Sequence, residues 1–481
     1  RPIGQFQAVK HRCADSLCRL EAARSAVWDA AHIDPDDPQF ELAVAAAAAL
    51  APEAAFECAK DCIQVLGGIG YTWEHDAHLY LRRATSLHVF NGSPSAWRDR
   101  VVALAAAGTR RTLELDLPSE AESVRSAVRA EVDVIAACDR STWNARLADD
   151  GWIQPHWPRP WGRGAGPLEQ LVIDQELRAA GIRRPHLQVA GWVLPTLIAH
   201  GTPEQQERFI ARSLRHELTW CQLFSEPGAG SDLASLATRA ERVDGGWAIT
   251  GQKVWTTMAK EADWGICLAR TDPDAPKHEG ITCFLVDMSS AGIDVRPLRE
   301  LTGFALFNEV FLDCVVVPDD LVAGAVDDGF LCARTTLENE RVSMASGSSF
   351  GPGVESVLDL ADRHHRLDDA LVRDEIGRLL VTSQALAVMG LRTTMRALGG
   401  AGAAAVPGPE ASVRKLMGVE HEQRVQEVGL SLLGPDAVVA DGAGARWFGG
   451  FLGNRALSIA GGTSEIQRNV IAERLLGLPR D

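Results

Sequence analysis

The sequence has too few basic residues to balance its acidic ones: 48 Lys and Arg face 64 Asp and Glu, a formal net charge of −16. A surface of that sign repels a phosphate backbone, which argues against nucleic acid as a partner. Long uninterrupted apolar runs are lacking too. The most apolar stretch, Ala43 to Ala51, is short and weakly hydrophobic, so no membrane span is expected. The ten cysteines are scattered, and the closest pairs, Cys13/Cys18 and Cys58/Cys62, have no further Cys or His at metal-ligand spacing. No metal site is expected, and buried, reduced thiols are the better reading. The chain opens at Arg1 with neither Met nor a signal-peptide pattern, which reads as a cytoplasmic protein incomplete at its start.

What is present is apolar content of 46% over 481 residues, enough for two to four domains. Residues 2 to 107 carry Ala-rich apolar runs at helical spacing. A polar hinge follows, and the chain stays helical to about Glu217, where Thr202-Pro203-Glu204-Gln205 supplies an N-cap, a first-turn proline and a capping-box partner. From Leu218 to about Val326 the pattern changes to strands. Asp244-Gly-Gly246 marks a hairpin, and 281–288 and 309–317 are β-branched and aromatic runs bounded by breakers. From Phe330 onward the pattern is helical again.

Two blocks carry the chemistry. Cys221-Gln-Leu-Phe-Ser-Glu-Pro-Gly-Ala-Gly-Ser-Asp232 ends a strand and enters a Gly-rich turn whose amides allow close approach of a ligand. Gly251-Gln-Lys-Val-Trp-Thr-Thr257 puts an indole and two hydroxyls at a strand end, which suits one face of a flavin ring. Either block alone also has a plainer reading, as a hairpin turn or a strand end with a packed Trp.

In this order the blocks resemble the β-domain signatures of the acyl-CoA dehydrogenase family. The resemblance implies a mainly α fold with a β-domain: a helical domain at 119–217, a β-barrel-like middle domain at 218–328 and a C-terminal helical bundle at 329–481. The line Cys62-Ile-Gln-Val-Leu-Gly-Gly-Ile-Gly-Tyr71, with Arg82-Arg83 and Val89-Phe-Asn-Gly-Ser93, resembles a second C-terminal helical domain. Residues 1–107 are therefore expected to be the end of a degenerate first module, joined through a linker at 108–118. Pairing Gln64 with Gln426 gives an offset of 362, and pairing Asn91-Gly92 with Gly461-Gly462 gives 370, so an eight-residue insertion is expected between the copies.

Family members bind FAD, remove the α-proton of an acyl-CoA with a glutamate, and pass the β-hydrogen to the flavin. The resemblance places Phe224, Ser225, Gly230, Ser231, Trp255 and Thr257 at the flavin ring and pyrophosphate. It places Thr463 and Glu465 near the ADP portion, together with Gln64, Gly67 and Gly68 of the first module. In the second module the Gln-x-x-Gly-Gly docking motif is read as decayed to Gln426-Glu-Val-Gly-Leu430, and the Arg-x-x-Phe-Gly region reads Arg363-His-His-Arg-Leu-Asp-Asp369.

The commonest position of the base holds Gly461, and Asn91 stands at that place in the first module. The alternative position matches Glu340-Arg341, so Glu340 is the expected base. Arg341, about 100° around the helix, is expected to bind substrate with Ser231 and Gly461, the last through its N–H. Without the resemblance, Glu338, Glu340 and Arg341 read as a solvated helical face.

The two-module plan resembles the actinobacterial dehydrogenases of steroid side-chain degradation, which implies a steroid side-chain CoA ester, an electron-transferring flavoprotein as acceptor and a homodimer of two-module chains. A long- or branched-chain fatty acyl-CoA dehydrogenase, or a non-catalytic assembly subunit, is the alternative.

Overall fold

The computed structural model describes the backbone of residues 1–113, 117, 119–345, 350–398, 410–439 and 441–480, with side chains for the same residues except 341–345, 396–398 and 443. Two compact units emerge: one of residues 1–115, 344–401 and 407–481, the other of 116–343 and 402–406.

The second unit joins helices Ala121–Ala136, Trp143–Asp149, Pro167–Ala179, Ala190–His200 and Pro203–Leu214 to one eight-stranded sheet. The expected capping box is present: the Thr202 hydroxyl accepts from the Gln205 N–H, and the Gln205 side chain accepts from the Thr202 N–H. The strands are β1 (Trp220–Leu223), β2 (Arg239–Val243), β3 (Gly246–Thr257), β4 (Trp264–Arg270), β5 (Ile281–Asp287), β6 (Ile293–Leu298), β7 (Phe307–Pro318) and β8 (Val322–Ala323). Their order is β6-β7-β3-β2-β4-β5-β8, with β1 parallel to β4. Strands β4 and β5 are buried on both faces and anchor a core shared with Leu194, Leu197 and Phe209 of the helices and with Trp152 of the loop after Trp143–Asp149. The helix Gly329–Ala345 follows the sheet.

The first unit holds helices Gln7–His32, Phe40–Leu66, Ala77–Phe90 and Pro94–Ala106, together with Val354–Arg363, Ala370–Leu398, Glu410–Leu433, Gly442–Gly453 and Ser464–Val470. Its two sets of helices repeat one pattern and pack reciprocally. Helix Gln7–His32 lies against Ala370–Leu398 and Ser464–Val470, and Ala370–Leu398 lies against Pro94–Ala106. Each set thus docks its last helix on a long helix of the other, Pro94–Ala106 on Ala370–Leu398 and Ser464–Val470 on Gln7–His32, the self-complementary logic of a twofold interface. Arginines mark both contacts: Arg98 binds Asp374 at 2.7 Å, and Arg468 binds Asp15 at 2.7 Å.

Three expectations require correction. First, the pairing of Gln64 with Gln426 is wrong. Helix Phe40–Leu66 runs directly into the 3-10 turn Gly67–Tyr71, and Glu410–Leu433 runs into Gly434–Val438, so Gly67 pairs with Gly434 and Gln64 with Ser431, an offset of 367. Gln426 is buried and donates to the Pro352 carbonyl at 2.7 Å, so it is a core residue rather than a decayed docking motif.

Second, the segment Phe40–Tyr71 does reach membrane-spanning length, and an 18-residue stretch of it has a mean hydropathy of 1.5. Its apolar face, including Ala43, Ala45 and Ala46, is buried in the helical unit. Third, the thiols are not uniformly buried: Cys62 and Cys314 are exposed, whereas Cys221, Cys267, Cys283 and Cys332 are core residues.

The side chain of Arg98 is only 7% exposed and also reaches Glu53, while the pair between Arg100 and Glu41 is open to water. Removing the first empties a buried site and takes the nearer partner from Asp374, which keeps Arg378; removing the second costs little. Arg98→Ala is expected to lower unfolding free energy by about 2 kcal/mol, and Arg100→Ala by less than about 0.5 kcal/mol, as read from urea unfolding of both variants.

Candidate active site

Strand β1 delivers Phe224 into the core and then turns at Pro227-Gly228, a turn closed by reciprocal backbone bonds between Glu226 and Ala229 at 3.0 and 3.1 Å. Lys253 of β3 holds this turn from beneath. Its fully buried ammonium donates to Glu226 at 2.7 Å and to the carbonyls of Leu268 and Phe224 at 2.7 and 3.2 Å. The Glu226 carboxylate also accepts from the N–H groups of Ala237 and Thr238. Burial by itself raises the Glu226 carboxyl; the Lys253 ammonium and the N–H donors outweigh it and leave its pKa below the ordinary value.

Beyond the turn, a Cβ added at Gly228 or Gly230 would meet nothing within 4 Å, and Ser231 is exposed. Two residues along β3 from Lys253, the pairing with β7 slips between Lys253 and Thr256, and Trp255 sits in this bulge with φ +61°. A bulge of this kind re-aims a side chain. The indole is 58% exposed, edge-on to Phe307 at 6.2 Å, and Thr257 beside it is half-buried. Thr256, facing the other way, is buried. Sheet unit and sequence therefore agree on one open, Gly-lined turn next to an exposed indole.

Glu340 lies on Gly329–Ala345, four residues after Thr336. Thr336 is buried, with its hydroxyl 2.7 Å from that of Thr196. Residues four apart share a helix face, so Glu340 continues the inward face, and its side chain is half-buried. A purely solvated face does not describe it. The side chain of Arg341 lies outside the described residues.

In the helical unit, Gly461 and Gly462 adopt φ +62° and +89°, a conformation that favours glycine. Thr463 caps helix Ser464–Val470 by accepting from the Ile466 N–H at 3.3 Å. The Glu465 carboxyl is lowered by its own backbone N–H and by the Thr463 hydroxyl. Gln64 is exposed at its helix end; Gly67 has φ +67°, and both Gly67 and Gly68 face open space. Gly70 is the packing glycine of this motif, since a Cβ there would lie 2.7 Å from Leu66 Cβ and 2.9 Å from the Ile63 carbonyl oxygen. In the region Arg363–Asp369, the Asp369 carboxylate accepts from the N–H groups of Leu371 and Val372 and pairs with Arg366, so it serves as a helix cap.

Family models match the whole arrangement. The C-terminal domain of acyl-CoA dehydrogenase matches residues 1–103 and 327–476, the middle domain 221–315 and the N-terminal domain 120–217. The chain belongs to the acyl-CoA dehydrogenase family. Acyl-CoA dehydrogenase FadE34 of Mycobacterium tuberculosis is 54% identical over 485 residues, covering 100% of this chain and 66% of that protein. Acyl-CoA dehydrogenase IpdE1 of the same organism is 38% identical, over 71% of this chain and 89% of that protein. Among solved structures, the Tcur3481-Tcur3483 steroid ACAD superposes with a TM-score of 0.61 and 27% identity, over 77% of this chain and 100% of the other. The chain thus spans just under two thirds of FadE34.

FAD, the cofactor that this acyl-CoA dehydrogenase family implies, fits the residues present. The exposed Trp255 offers a flat face, Gly228 and Gly230 leave room, and Ser231 offers a hydroxyl. Sequence reading missed Lys253 and Glu226, although both stand inside the quoted motifs. The available signal was slight: a lone Lys between Gln252 and Val254 within a strand, and a lone Glu between Ser225 and Pro227 just past the end of another.

Glu226 has a folded pKa below its unfolded value, so the stability it contributes is present above the ordinary carboxylate range and is lost as pH falls through its folded pKa. Glu226→Gln is expected to destabilise the protein by about 3 kcal/mol at pH 7 and to flatten the acid limb of stability between pH 7 and about pH 3. Denaturant midpoints measured across that range check both outcomes.

Proposed function

We propose that the chain, within its full-length protein, catalyses α,β-dehydrogenation of an acyl-CoA thioester, with Glu340 as the base. The observation that carries this reading is the placement of Glu340 on the inward face of its helix, one turn beyond the buried Thr336, in a chain whose other candidate position is a glycine. FAD, held through Phe224, Ser225, Gly230, Ser231, Trp255 and Thr257, with Thr463, Glu465, Gln64, Gly67 and Gly68 toward its ADP part, supplies the acceptor for the β-hydrogen as hydride. Glu340 takes the α-proton. A carboxylate desolvated beside a bound thioester is a stronger proton acceptor than one in water, because its charged form is the one that burial penalises. The Gly461 N–H donates to the thioester carbonyl as negative charge grows there, with Ser231 and Arg341 on the substrate.

A steroid side-chain CoA ester is the proposed substrate, and the likeness to the Tcur3481-Tcur3483 steroid ACAD supports it. An electron-transferring flavoprotein is the proposed acceptor, and a homodimer of two-module chains the proposed assembly. The structure of the ChsE4-ChsE5 complex from M. tuberculosis superposes with a TM-score of 0.59 and 25% identity, over 77% of this chain, and supports an assembly of paired modules.

The full-length flavoprotein, titrated anaerobically with a steroid side-chain CoA thioester, is expected to lose its flavin absorbance. Glu340→Gln should do so about 10³-fold more slowly or not at all, with ligand affinity within a few-fold of wild type. Bleaching by fatty acyl-CoA alone would replace the steroid assignment. An unchanged rate in Glu340→Gln would remove Glu340 as the base.

A further inference from the structure

Beneath the glycine pair lie two buried side chains that the proposed reaction does not otherwise use. Lys415, on helix Glu410–Leu433 and 2% exposed, donates through Nζ to the carbonyls of Ala460 at 2.7 Å and Gly462 at 2.5 Å. Gln467, also buried, donates through Nε2 to the carbonyls of Gly461 at 2.9 Å and Gly462 at 3.2 Å. Three successive carbonyls are therefore held by side-chain donors. Turning them all inward takes the positive φ of both glycines, and a Cβ at Gly462 would lie 2.9 Å from Gln467 Nε2.

A trans peptide is planar, so its N–H points opposite to its carbonyl. With the Ala460 carbonyl drawn to Lys415, the N–H of the same peptide unit, that of Gly461, is aimed away from the ammonium. It donates to none of the described residues. The charge acts in the same direction as the geometry. An ammonium on the carbonyl oxygen draws electron density from the amide, and polarised chains of hydrogen bonds strengthen one another. A donor so prepared suits an oxygen that becomes negative during the reaction.

We infer that Lys415 is a positioning residue for the thioester carbonyl: with Gln467 as a second arm, it aims and polarises the Gly461 N–H. This rests on the reading of Gly461 as the carbonyl donor. A merely structural lysine would affect stability without distinguishing a ligand that has the carbonyl oxygen from one that lacks it.

The test uses the full-length holoprotein and two ligands. One is a steroid side-chain CoA thioester with sulfur at the β position, which cannot lose hydride, labelled with carbon-13 at the thioester carbonyl. The other is its thioether counterpart, with a methylene in place of the carbonyl. Isotope-edited infrared spectra read the hydrogen bond to the carbonyl directly, and calorimetry gives both affinities.

Wild type is expected to lower the carbonyl stretch relative to solution. Lys415→Met should lose at least half of that lowering. It should also bind the carbonyl ligand roughly tenfold more weakly relative to the thioether, less than the ~10²–10³ typical of deleting an oxyanion donor outright. Gln467→Leu should shift both readouts in the same direction by a smaller amount, and it provides the measurement if Lys415→Met does not fold. A wild-type lowering that persists in both variants overturns the role of Lys415 and leaves the Gly461 reading in place. No lowering in wild type overturns both.

Discussion

A buried carbonyl must find a donor, and in this protein two buried lysines meet that need under the loops that matter. Lys253 takes the carbonyls of Phe224 and Leu268 in the sheet unit, and Lys415 those of Ala460 and Gly462 in the helical unit. The consequence is geometric as well as energetic. Pulling a carbonyl inward turns the N–H of the same peptide unit outward, as in the Ala460–Gly461 peptide held by Lys415. Lys253 has Glu226 as counter-charge, which makes the first cradle a closed network rather than an isolated buried cation.

The helical unit shows how a repeat can diverge without losing its packing. The reciprocal contacts from Arg98 to Asp374 and from Arg468 to Asp15 keep the two copies engaged. Their loops have been released to differ. The first copy retains Gln64, Gly67 and Gly68 on open surface, where nothing in the packing requires them. The second has Ser431, Gly434 and Pro435 at those places. At Gly461 the φ of +62° suits the glycine present, and a side chain there would be strained.

Much of this was legible in the chain because the signals are local. Asp244-Gly245 marks a turn by its own φ requirement, Thr202 and Gln205 form a cap across four residues, and the runs 281–288 and 309–317, strands by composition, fall on Ile281–Asp287 and Phe307–Pro318. The Gly-rich turn after Phe224 and the indole at Trp255 followed from the same kind of signal. The repeat was visible as well, but its register was not: a matching Gln at 426 was more conspicuous in sequence than the helix-to-turn junction at Gly434 that sets the true pairing.

Neighbours along the chain were enough to set the element types, the order of helical and β segments and the family. Which charges are buried came only from the packing of distant segments. Nothing local tells that Lys253 and Lys415 lie under loops 27 and 45 residues away, or that Arg98 meets Asp374 across 276 residues. Packing also put Glu340 after Thr336 on an inward face rather than in solvent, and turned the alanines of helix Phe40–Leu66 to a protein core. Hydrophobic period and turn chemistry are written in adjacent residues; the partner of a buried charge is fixed only when remote parts of the chain meet.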